Sequence, residues 1–223
     1  MPNFYEVIPL SGDALLQRLA GQNLGTWCKF ITLHNTSLPS LALWARNRTR
    51  FSAKQLVMNM EDGWRAQHWH TGPHYLVTPE PDQPIFELSD PSAPGVHASC
   101  FNLDSIGIEM VGEYNNEDFN SGAGATVRDN AVLLLAALHK KLGLTPLPFV
   151  YDKRGLHFHK DCVRDQHDCP GSGVVRPAII TLIQAKMSAL SAAPPAPPAA
   201  AAAAAVRAPA RPSRRRPKAR AKK

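Results

Sequence analysis

From residue 191 to residue 223 the chain uses only Ala, Pro, Val, Ser, Lys and Arg, and this break in composition limits what can fold. The segment holds no acid, no aromatic and no large aliphatic beyond Val206. It therefore buries too little apolar surface to offset the entropy of ordering a chain. The expectation is one folded domain over 1–190 and a disordered Pro/Ala-rich basic tail over 191–223. Charge divides at the same place. Nine of the 25 Lys and Arg residues lie in the tail, leaving 16 against 18 acidic residues, a net of −2, for the rest. The formal +7 belongs to the tail; the domain is close to neutral.

Periodicity organises the first 190 residues into interspersed strands and helices. Helical spacing of Leu15, Leu16 and Leu19 after a Ser/Asp start predicts a helix over 13–21. Residues 27–34 read as a strand buried on both sides, with Phe30, Thr32 and His34 on one face and Ile31 and Leu33 on the other. Helices are expected over 39–46 and 52–69, the second carrying Leu56, Met60 and Trp64 as a stripe. Segments 74–78 and 85–88 read as strands joined by a Pro/Asp turn, and 105–112 as a further strand. The clearest helix covers 126–142, with Ala131, Leu134, Leu135 and Leu138 facing the core. A short strand over 156–159 and a closing helix over 174–190 complete the pattern. This order predicts an α/β domain with a central mixed β-sheet flanked by helices.

The four cysteines form no C-x-x-C pair, and Cys28, Cys100 and Cys162 read as small buried hydrophobes in a reduced compartment. The amino terminus lacks a basic region and carries Glu6 within a short apolar run, so no signal peptide is expected. Synthesis in the cytoplasm is expected, and action outside the cell would need another agent to release the protein.

Chemistry concentrates in a few positions. A zinc ion with three protein ligands and one open position can acidify a bound water and polarise a carbonyl. His34 ends the first central strand, His159 ends a later one, and Cys169 lies in the turn DCPGSG. Two imidazoles and a thiolate suit zinc. On spacing alone His157 is an equal rival to His159, and a single strand-end histidine is more often a satisfied polar residue than a ligand. Glu109 stands on a strand otherwise filled with Ile, Gly, Met and Val, where an unpaired carboxylate is expensive to bury. The alternative is an edge-strand charge that reaches solvent.

Four stretches carry a resemblance: ITLHNT at 31–36, GPHYLV at 72–77, HASCFNLDSIGIEMVGEY at 97–114 and HKDCVRDQHDCPG at 159–171. In these the chain resembles the N-acetylmuramoyl-L-alanine amidases, which include amidase-type phage lysozymes, cell-wall-recycling amidases and peptidoglycan recognition proteins. The resemblance implies that His34, His159 and Cys169 ligate Zn2+, the H-x-D pattern choosing His159 through Asp161. It implies that Glu109 is the general base, as in the recycling amidases. It places His167 where relatives carry Lys or Thr to hydrogen-bond the tetrahedral oxyanion, although a solvated loop histidine is an equal reading. Pro73 stands where phage-type relatives have a catalytic tyrosine, so the chain leans on Glu109. His74 is expected in the cleft wall, His157 beside the cleft, and Phe158, at a common glycine position, narrowing the approach to the metal.

The implied activity is zinc-dependent hydrolysis of the bond between N-acetylmuramic acid and L-alanine in peptidoglycan or muropeptides, as a monomeric phage or prophage endolysin. The rivals are a cytosolic anhydro-muropeptide recycling amidase and a peptidoglycan-binding module without turnover. The basic tail reads as a ligand for polyanions such as outer-membrane lipopolysaccharide or anionic lipid. It offers no aromatic and no groove-reading motif, so no specific nucleic-acid recognition is expected.

Overall fold

The computed structural model describes residues 6–147, 155–165 and 167–192. The tail expected over 191–223 lies, beyond Ala192, outside the described residues. Six strands form one mixed sheet: β1 (Ile8–Leu10), β2 (Phe30–Asn35), β3 (Tyr75–Val77), β4 (Ile85–Glu87), β5 (Ser105–Met110) and β6 (Leu156–Phe158), in the order β1-β4-β3-β5-β2-β6. The pairs β3–β5, β5–β2 and β2–β6 are parallel, while β4 runs antiparallel to both β1 and β3. Five helices accompany it: α1 (Gly12–Gly21), α2 (Leu41–Arg48), α3 (Ala53–Ala66), α4 (Gly122–Leu142) and α5 (Arg176–Ala192).

Local chemistry sets the helix ends. Ser11, Ser40 and Ser52 each accept a hydrogen bond from the backbone N–H three residues on, satisfying a donor that the first turn leaves open. Gly143, in the left-handed region at φ 65°, closes α4. Helix α3 stops at Ala66 rather than continuing to Trp69, because His68 turns left-handed at φ 63° and folds Trp69 back beside Trp64.

Alternation along the strands divides two cores. Ile31 and Leu33 of β2 and Ile106 and Ile108 of β5 pack with Leu15, Leu134, Leu138 and Ile183 from α1, α4 and α5. On the opposite face Leu76, Phe86 and Val111 meet Trp44, Leu56 and Val57 from α2 and α3. That second face is covered in two pieces. Helices α2 and α3 cover the β3–β4 half, and Phe30, Ala98, Phe101 and Cys162 form a separate cluster against β2. The functional residues lie between the two covers.

Two expectations about the cysteines are corrected here. Cys100 and Cys162 form a disulfide, with Cα atoms 5.5 Å apart across a sequence separation of 62 residues. They are neither thiols nor independent core residues; the bond ties the segment after β6 to the loop before β5. Cys28 is a free buried cysteine, as read. Strand β1, three residues long, escaped the pattern because so short a run shows no period. Among the described residues no helix is long and apolar enough to cross a membrane.

Candidate metal centre and cleft

β2 and β5 lie side by side in the middle of the sheet, in a register that opposes His34 to Glu109. Glu109 is therefore not an edge-strand charge. Its Oε1 lies 3.9 Å from His34 Nδ1, and its Oε2 has no hydrogen-bond partner among the described residues. Burial pushes its carboxyl up from 4.5 to about 8. His34 is 1% exposed, and burial, followed by the neighbouring His97, His159 and His167, holds it well below the usual histidine value.

The strand expected to run through His159 ends one residue earlier. The Asp161 carboxylate accepts the Phe158 N–H at 2.7 Å, and His159 opens a 3-10 turn, His159–Asp161. The turn swings His159 toward β2, where its ring centroid lies 4.6 Å from that of His34. His159 Nε2 lies 3.0 Å from Asp165 Oδ2. Asp165 also accepts the Ser99 N–H at 2.9 Å and the Ser99 hydroxyl. Burial lowers the His159 pKa, and the Asp165 partner opposes that shift.

Cys169 arrives by the DCPG turn. Gly171, at φ 99°, passes so close to Tyr114 that a Cβ would come 2.7 Å from its carbonyl carbon, which accounts for the glycine. The Cys169 sulfur accepts the Asn35 N–H at 3.2 Å. Burial, then the Glu109 charge, pushes its thiol well up, so a nearby cation is what would favour the thiolate. Ligating atoms of His34, His159 and Cys169 all lie within 4.8 Å of one another. That spacing, two imidazoles and a sulfur that accepts a backbone donor fit a zinc-type ion with an open position.

These residues lie at an open cleft of about 400 Å³, whose lining also includes Asn35, Trp69, Glu113 and His167. A smaller pocket of about 200 Å³, which shares Asn35, Thr36 and Glu109 with the cleft, is also lined by Leu38, Met60 and Trp64. His167 is exposed at the cleft, with its ring 4.9 Å from that of His159.

Other expectations fail. His157 is fully buried away from the cleft, stacked on Phe30 with ring centroids 3.9 Å apart, because alternation along β6 points it into the cluster around Phe101. Phe158 does not narrow the cleft: it faces the other core at 1% exposure, with the Arg176 guanidinium 4.3 Å from its ring. His74 is fully buried behind the cleft, where its ring nitrogens meet Ala93 O at 2.9 Å and Gly107 N at 3.0 Å. The residue missed was His97. It lies in the loop before β5, and its Nδ1 is 3.0 Å from His34 Nε2. The available signal was Gly107, since a glycine inside a strand marks a close approach: a Cβ there would lie 2.3 Å from His97 Cγ.

Two imidazoles, a thiol and an uncompensated carboxylate at one end of an open cleft make a set suited to hydrolysing an acyl derivative. The family comparison names that class: the N-acetylmuramoyl-L-alanine amidase family model matches residues 25–172, and the chain belongs to that family. Membership supports peptidoglycan amidase activity and binding of peptidoglycan or muropeptides. Among solved structures, the endolysin amidase LysCS from Clostridium intestinale superposes with a TM-score of 0.53 at 18% identity, covering 73% of this chain and 87% of its own. The amidase LysC from the same organism gives 0.54 at 18% identity over 73% and 89%. The Staphylococcus aureus hydrolase AmiA gives 0.53 at 16% identity over 74% and 76%. At such identities the likeness is one of fold. No curated protein sequence matches the chain significantly.

Proposed function

We propose that residues 1–190 are a zinc amidase domain that hydrolyses the bond between N-acetylmuramic acid and L-alanine, acting as an endolysin, and that 191–223 are a basic tail. The observation that carries the reading is the convergence of His34, His159 and Cys169 beside Glu109. These three would hold the ion, and Asp165 and His97 would orient the two imidazoles. Bound there, zinc supplies Lewis acidity that polarises the scissile carbonyl and acidifies water.

The chain's own residues do the rest. Glu109 Oε2, buried and without a partner among the described residues, takes a proton from the attacking water as the new C–O bond forms. It returns that proton to the alanine nitrogen as the C–N bond breaks, leaving a peptide with a free amine and a lactyl carboxylic acid, whose remaining proton from the water is lost to solvent. His167, which lines the same cleft beside His159, donates a hydrogen bond to the carbonyl oxygen as charge develops there. The tail supports the endolysin role over a recycling role, because nine cationic side chains without an acid suit an anionic envelope surface.

The test is a digest of purified sacculi by the wild type, Glu109→Gln and a zinc-depleted sample, with mass analysis for alanine amino termini. Wild type is expected to release them. The variant should be slowed about 100-fold or more, the depleted sample silenced and zinc should restore it. Equal release by the depleted sample would remove the mechanism. Binding without release by the wild type would make the chain a recognition module.

A further inference from the structure

We infer that His97 is a positioning residue that locks His34 in the tautomer with its proton on Nε2, so that Nδ1 is the nitrogen offered to an ion. The inference rests on the metal reading above for its consequence, but the tautomer itself exists without metal.

The hydrogen-bond chain has one polarity. His97 Nε2 lies 3.1 Å from the main-chain carbonyl oxygen of Ser105, which can only accept. The Ser105 hydroxyl, 3.2 Å from the same nitrogen, donates its own proton to Phe101 O at 3.0 Å and so also presents a lone pair. His97 Nε2 must then carry the hydrogen. A neutral imidazole has one N–H, which leaves His97 Nδ1 as an acceptor. That acceptor faces His34 Nε2 at 3.0 Å, with the rings at 85° to one another. The hydrogen between the two rings belongs to His34 Nε2. His34 Nδ1 is left bare, on the side where Glu109 Oε1 lies.

His159 reaches the same state by different means. Its Nε2 faces the Asp165 carboxylate, an acceptor, so its Nδ1 is bare as well. One imidazole is oriented by a charge and the other by a neutral ring anchored on a backbone carbonyl. The neutral anchor cannot be lost by protonating a carboxylate, and it is held mechanically: His97 is 6% exposed and its ring fills the slot over Gly107. Orienting partners of this kind are worth roughly 10–100-fold in metal affinity.

Long-range 1H–15N spectra of the zinc-depleted protein near neutral pH test the assignment directly. Both His34 and His97 are expected as Nε2–H tautomers; His34 seen as the Nδ1–H form overturns the inference. Zinc affinity, read by competition with a chromogenic chelator, supplies a second arm. His97→Ala should weaken binding about 10–100-fold. His97→Asn, whose Oδ1 stands where Nδ1 was, should restore most of it. Wild-type affinity in His97→Ala, or no recovery in a folded His97→Asn, also overturns the inference. If His97→Ala fails to fold, the spectra and the Asn variant still decide. A protein with these tautomers that binds zinc yet releases nothing from sacculi would leave the inference standing and remove the proposed activity.

Discussion

Gly107→Ala offers a sharp test of how the sheet builds this site. The added Cβ would meet His97 Cγ at 2.3 Å and Cδ2 at 2.5 Å, where ordinary contact begins at 3.4 Å. Since β5 is an interior strand paired on both sides, the backbone yields less easily than the ring. His97 must therefore move by about 1 Å, which stretches its 3.0 Å bond to His34 past useful length. Overpacking costs about 1–3 kcal/mol, and the buried His34 N–H left unpaired costs about as much again. The sum of about 2–6 kcal/mol corresponds to a melting temperature lower by about 4–24 °C for a domain of this size. Zinc affinity should fall with it, by roughly 10–100-fold. Gly63→Ala is the control, because nothing lies within 4 Å of the Cβ position there, and it should stabilise α3 by up to about 1 kcal/mol. Thermal melts of the zinc-free protein and chelator competition of the loaded one read the two effects separately. A Gly107→Ala protein with wild-type melting and wild-type zinc affinity would refute the reasoning. One that melts early but binds zinc normally would reduce Gly107 to packing alone.

Two further outcomes follow from residues outside the centre. Glu61 on α3 is 5% exposed, its Oε1 is unpaired among the described residues, and burial raises its carboxyl from 4.5 to about 7. The stability tied to this raised value is complete below the unfolded pKa and lost as pH rises through about 7. Glu61→Gln should therefore raise the urea midpoint above about pH 8 and lose that advantage near about pH 4; a pH-independent difference would contradict the assignment. Deleting residues 191–223 should abolish salt-sensitive binding to vesicles rich in anionic lipid while leaving hydrolysis of a soluble muropeptide intact. Vesicle binding that survives the deletion would move the polyanion site into the domain.

Much of this architecture could be read from residues whose signal is local or periodic. The α4 stripe of Ala131, Leu134, Leu135 and Leu138 is fully buried, as its spacing implies, and the alternation of β2 puts Ile31 and Leu33 in one core and His34 opposite them. What periodicity could not supply was pairing between distant segments. The Cys100–Cys162 bond spans 62 residues, and nothing local to either cysteine announces it. His97 sits in an irregular loop, and only the strand order of the folded sheet brings it over Gly107 and against His34. The choice of His159 over His157 likewise depends on where β6 stops, which the hydrogen bond from the Phe158 N–H to the Asp161 side chain decides. Phe158 shows the opposite hazard: a cleft role was carried over from position in a motif, while the strand's own alternation already placed it in the core.

The anchoring of Asp165 on Ser99, next to the Cys100–Cys162 bond, binds together two stretches of chain that each orient one imidazole. Segment 97–102 supports His34 through His97, and segment 159–165 carries His159 with its carboxylate. Fastened to one another, they form a single brace beside the floor of β2 and β5. Opening that brace at the Cys100–Cys162 bond is therefore expected to loosen the support of both imidazoles together.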